Sequence, residues 1–128
     1  MADFRPSQVT GNLNVSGTVD LSRLDLVRYA EALLVPSSIE TTVLTFTATQ
    51  TTNISLITVS GQGYAKFKLY IDANQIGTKI SGPDRGVEWN FSFPLALDIG
   101  SVLTIKVTHY STGDALDFYG GMYAFTSV

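Results

Sequence analysis

The feature that most constrains this chain is strict alternation. In "AKFKLYI", residues 65–71, Ala65, Phe67, Leu69 and Ile71 take every second place, with Lys66, Lys68 and Tyr70 between them. Successive side chains of an extended strand point to opposite faces, so the pattern demands a sheet with one face buried and one wet. The period recurs. Leu44, Phe46 and Ala48 alternate with Thr45 and Thr47, and Leu103, Ile105 and Val107 with Lys106 and Thr108. Val87, Trp89, Phe91 and Phe93 form the heaviest apolar row and are the expected anchor of the core, because aromatic side chains bury the most area. "ISLITVS", residues 54–60, is β-branched and mostly apolar, as a central strand would be.

Turn residues separate these runs. "TQTTN", "GQG", "SGPDRG", "LDIGS" and "YSTGDA" break the alternation, and "DANQ" at 72–75 reads as a tight hairpin with Asn74 suited to a positive φ. Pro94 is expected to end its strand, and the Gly120-Gly121 pair to bulge the last one. Short strands with no helix between them predict an all-β fold, an antiparallel jelly-roll-like β-sandwich of about seven to eight strands over residues 38–128.

Residues 1–37 read differently, as an N-terminal arm. Leu13, Val15, Val19 and Leu21 share one face of an extended ribbon. Ser22 then stands as an N-cap with Asp25 three places on, and Leu24, Val27, Ala30 and Leu34 recur at helical spacing up to Pro36. Leu26, Tyr29 and Leu33 trace a second apolar side, and a short helix apolar on two sides needs two covering surfaces. The expectation is an attachment and oligomerisation element. Leu13, Val15, Val19 and Leu21 would add a strand to a neighbour, and Leu24, Val27 and Leu34 would pack around a symmetry axis.

Composition narrows function chiefly by exclusion. The net charge of −3 argues against a nucleic-acid partner, which needs clustered Lys and Arg. No run approaches the length of a membrane span, and "MADFRPSQVT" lacks the apolar core of a signal peptide. With no cysteine and one histidine, disulfides, thiol chemistry and two-histidine metal sites are out of reach, so neither an enzyme nor a cofactor is expected. His109 falls on an inward row at a strand end, where a packing role is expected. "DANQIG" fails as a calcium loop, because Ile76 stands where an oxygen ligand is required and Pro83 where the bidentate Glu should be. Charged residues make up 15% of the chain against 45% hydrophobic, a balance that suits a protein partly covered by other subunits. Among the tyrosines of several strands, Tyr70 shares the wet face of Lys66 and Lys68. Tyr70, Tyr110 and the loop-tip charges Asp84 and Arg85 are the candidate ligand contacts, a glycan being the ligand that exposed rings suit.

Two stretches carry a resemblance. "VTGNLNVSGTVDL", residues 9–21, is similar to short segments recurring in tail fibres and other virion proteins of tailed bacteriophages. Residues 42–125 resemble a small β-sandwich module of phage structural proteins, through the turn at Asp72 and Asn74, Arg85 to Trp89, Pro94 to His109 and Asp117 to Ala124. The resemblance implies a non-enzymatic virion component made in the host cytoplasm and built as a homotrimer on capsid or tail proteins. The short chain, without a repetitive shaft, favours a capsid decoration, collar or adaptor protein; the alternative is a tail-fibre-associated module that recognises host glycans. No catalytic residue comes with it.

Overall fold

In the computed structural model, residues 25–83 and 85–126 are described, and they contain eight strands and no helix. These are β1 (Leu26–Val35), β2 (Thr41–Thr47), β3 (Thr52–Gly61), β4 (Ala65–Ile71), β5 (Asn74–Ser81), β6 (Val87–Leu97), β7 (Val102–His109) and β8 (Leu116–Thr126). They form two four-stranded antiparallel sheets, ordered β1-β8-β3-β6 and β2-β7-β4-β5. Strand 1 pairs with 8, 2 with 7, 3 with 6 and 4 with 5. The described residues thus form one long hairpin rolled into two layers, as expected for an all-β sandwich.

The alternation works as the sequence requires. Phe67 and Leu69 on β4, and Leu103, Ile105, Val107 and His109 on β7, are fully buried between the sheets. Phe67 meets Phe118 of the opposite sheet edge-on, with ring centroids 5.8 Å apart, and this cross-layer pair centres the core. The row expected to anchor it lies at the margin instead. Val87, Trp89 and Phe91 are only partly buried, and Phe93 is 90% exposed. Trp89 closes an open edge between the layers: a Cβ on Gly77 would come within 2.7 Å of its indole nitrogen, and Lys79 Nζ lies 5.9 Å from the ring centroid.

The expected short helix is corrected to strand β1, which is paired along its length with β8 as one edge of the first sheet. Two local features disguise the strand period. Arg28 occupies an inward place and reaches across the edge to Phe46, so Leu26 and Ala30 stand four apart. Leu33 and Leu34 then bulge opposite Asp117, so the inward residues Ala32 and Val35 stand three apart. Spacings of four and three are helical in sequence, yet here they belong to an interrupted ladder. Leu34 takes a positive φ of 54°, and its N–H donates to Asp117 Oδ1 at 2.8 Å. The second half of the expected arm is therefore part of the sandwich; residues 1–24 lie outside the described residues.

Three smaller expectations also change. The β4–β5 turn places Asp72 and Ala73, not Asn74, at positive φ (50° and 72°), with Asp72 Oδ1 accepting the N–H of Val102. Pro94 does not end β6: the register slips between Asn90 and Leu95 opposite Ser55, and the proline sits in that irregularity on an edge strand, where no ladder N–H is needed. Gly120 and Gly121 stay in register on both sides. They are points of close approach, since a Cβ on Gly121 would lie 2.8 Å from Thr58 Oγ1 and 3.1 Å from the Tyr29 ring. Next to them on the outer face, the Tyr29 and Tyr123 hydroxyls are 2.5 Å apart. That hydrogen bond, with burial and the neighbouring phenol adding to it, raises the Tyr123 phenol above its usual pKa.

Candidate ligand-binding groove

Antiparallel pairing brings four connections to one end of the sandwich: residues 36–40, 62–64, 82–86 and 110–115. His109 ties that end together from below. The backbone N–H of Ser111 can only donate, so Nδ1 accepts it at 3.3 Å; the Val35 carbonyl can only accept, so Nε2 carries the proton and donates at 2.7 Å. The ring also lies 5.4 Å from Phe118, and the His109 carbonyl accepts the N–H of Ser38. The histidine is thus a structural latch that fixes where Tyr110 and Ser111 leave the sheet.

Above this latch two exposed rings flank a hollow of about 350 Å³ lined by Tyr64, Ala65, Lys66, Ile80, Tyr110 and Ser111. Tyr64 is 72% exposed, Tyr110 66% and Ile80 65%. Tyr64 and Ile80 also wall a second hollow of about 400 Å³ that reaches Ser81, Gly82, Pro83 and Arg85. Glycine suits position 82, since a Cβ would stand 3.2 Å from the Tyr64 ring. Arg85 is held beside it by a reciprocal backbone pair with Gly82, both bonds 3.3 Å. Ser81 is 1% exposed, and its Oγ has no hydrogen-bond partner among the described residues.

Beside the groove runs the outer face of the second sheet. β4 and the residue before it present Tyr64, Lys66, Lys68 and Tyr70 in turn; β7 presents Thr104, Lys106 and Thr108, followed by Tyr110. Lys66 stands opposite Thr108, Lys68 opposite Lys106, and Tyr70 opposite Thr104. Lys106 Nζ lies 5.1 Å from the centroid of the Tyr70 ring, whose hydroxyl donates to Glu40 Oε2 at 3.4 Å. No ion pair joins Lys66, Lys68 or Lys106 to a carboxylate among the described residues.

The candidates read from sequence therefore separate. Tyr110 lies in the groove, and Arg85 borders the adjoining hollow. Tyr70 sits at the far end of the lysine strip, roughly 20 Å from Tyr64 at strand rise. Val27 is 40% exposed on β1, and Leu34 is 70% exposed in its bulge. Leu13, Val15, Val19, Leu21, Leu24 and Asp84 lie outside the described residues. Tyr64 and Ile80 were not singled out as ligand contacts. One step back along the alternation of Lys66, Lys68 and Tyr70 reaches Tyr64, whereas Ile80 becomes a neighbour only through the β4–β5 register. Among the described residues no group of His, Asp and Glu is placed to hold a metal ion, and no helix is long and apolar enough to cross a membrane. No protein-family model matches the chain, and no curated protein is significantly similar to it.

Proposed function

We propose that the chain is a non-enzymatic structural module of a bacteriophage virion, a jelly-roll sandwich that assembles in several copies on capsid or tail proteins, three being the number the resemblance implies. The observation that carries this reading is the pairing of strands 1 with 8, 2 with 7, 3 with 6 and 4 with 5 in two sheets, the strand order of a double-sheet jelly roll. The exposed apolar side chains Tyr29, Leu33 and Leu34 on β1 support an interface there, since monomers seldom leave such groups together in water. In this reading residues 1–24, with Leu13, Val15, Val19, Leu21 and Leu24, attach the module, and Val27 and Leu34 extend the same surface. A mass-spectrometric inventory of purified particles would contain the protein, and light scattering of the full chain would give a multiple of its 13.8 kDa mass. Absence from the particle, or a monomer at tens of micromolar, would overturn the proposal.

A second reading is favoured by the Tyr64–Tyr110 groove. Two exposed rings beside hydroxyl groups suit a saccharide, as a displayed host-recognition module would require.

A further inference from the structure

We infer that the outer face of the second sheet, from Tyr64 and Tyr110 down to Tyr70, is a binding strip for an acidic glycan, a saccharide chain carrying carboxylates at intervals. This deepens the saccharide reading of the groove and rests on it.

Three observations converge. First, the rings of Tyr64 and Tyr110, both exposed, line one hollow together with Ala65 and Lys66. Sugar rings have apolar C–H faces, which stack on tyrosine while their hydroxyls stay hydrogen-bonded. Second, Lys66 lines the hollow, Lys68 beyond it faces Lys106 directly, and none of the three is ion-paired among the described residues. Like charges in that relation destabilise a sheet, and an anion lying between them relieves the repulsion. Third, threonines stand among the charges: Thr108 opposite Lys66, Thr78 on the other side of Lys68, and Thr104 opposite Tyr70, with Ser111 in the groove wall. Such hydroxyls both donate and accept, as do those of a sugar. Ser81 adds a buried Oγ without a partner in the wall of the adjoining hollow.

Charge density selects among anionic polymers. Among the described residues Glu40 is the one carboxylate bonded to the strip, through the Tyr70 hydroxyl, and the whole chain is net negative at −3. A phosphodiester chain charged at every nucleotide would meet few cations here and long-range repulsion besides. A saccharide with a carboxylate on some of its rings asks only for lysines spaced roughly 7 Å apart along a strand, as Lys66 and Lys68 are. An acidic peptide would use the lysines but leave the two exposed rings without a partner.

The full chain can be tested by calorimetry against oligosaccharides of alternating uronic acid and neutral hexose, their carboxyl-reduced neutral counterparts, single-stranded oligothymidylate and oligoglutamate. The acidic saccharides should bind tightest, and their affinity should fall as salt rises from about 50 mM to about 500 mM. Tyr64→Ala and Tyr110→Ala should each weaken binding roughly tenfold, and Lys68→Gln several-fold, at unchanged thermal stability or better. Equal affinity for the neutral counterparts would overturn the acidic assignment and leave the saccharide reading standing. Binding of no saccharide would overturn both. Tighter binding of oligothymidylate or oligoglutamate would replace the proposal with that polymer.

Discussion

Lys68 and Lys106 stand directly across from each other on neighbouring strands of the second sheet, with no carboxylate among the described residues paired to either. A sheet selected for stability alone would place an acid at one of them. Lys68→Glu should therefore stabilise the fold by about 0.2–1 kcal/mol, by removing a repulsion and adding a cross-strand ion pair. Thermal denaturation at low salt would show the gain, and high salt should shrink it. A loss of stability would mean that the two ammonium groups avoid each other at no cost.

His109 is fully buried, and both ring nitrogens are bonded. His109→Ala would remove its hydrogen bonds to the Val35 carbonyl and the Ser111 N–H, open a cavity beside Phe118, and cost about 2–4 kcal/mol. Urea denaturation measures the loss, and hydrogen exchange at Ser111 should speed up before global unfolding. If the Ser111 amide kept its protection, the latch would lie elsewhere.

Leu34 carries a left-handed backbone that a side chain disfavours, held by the Asp117 carboxylate. Leu34→Gly should raise the stability of the isolated sandwich by roughly 1 kcal/mol, while Asp117→Ala should lower it by about the same amount. If the bulge is kept because its exposed leucine meets a neighbouring copy, Leu34→Gly should also lower the mass seen by light scattering. Opposite movement of stability and assembly is the expected pattern.

Tyr123 gives the fold an alkaline limit. Its phenol is raised in the folded state by the hydrogen bond to Tyr29, so the folded protein holds that proton more tightly than the unfolded chain. The associated stability is fully present below about pH 10, the ordinary phenol value, and is lost as pH climbs from there through the folded value. Tyr29→Phe removes the bond and should flatten the fall in denaturation midpoint above about pH 10. An unchanged slope would remove the tyrosine pair as its cause.

Legibility in the sequence depended on how purely each segment kept its period. β4 and β7 are half wet and half dry without interruption, so their faces could be read off residue by residue. β1 could not be read that way. Arg28 on an inward place and a bulge at Leu33 and Leu34 turned a two-residue period into spacings of four and three. The aromatic row of β6 was assigned to the core because size favours burial, but an edge strand whose ladder slips at Ser55 turns Phe93 outward. The groove was half legible. Tyr110 was named as a ring that suits a sugar and Arg85 as a loop-tip charge, whereas pairing Tyr64 with Ile80 required the register between strands. Facing lysines are likewise invisible until β7 is laid beside β4.

The first and last strands of the rolled hairpin are neighbours, and Asp25 clasps Thr126 through both carboxylate oxygens, one accepting its N–H at 2.9 Å and the other its hydroxyl at 3.0 Å. Strand direction puts that clasp at the pole opposite Tyr64 and Tyr110. Residues 25 and 126 therefore form a double stem from which the sandwich can be mounted on any base with its aromatic end facing away, and whatever is joined at the stem can grow without shading the groove.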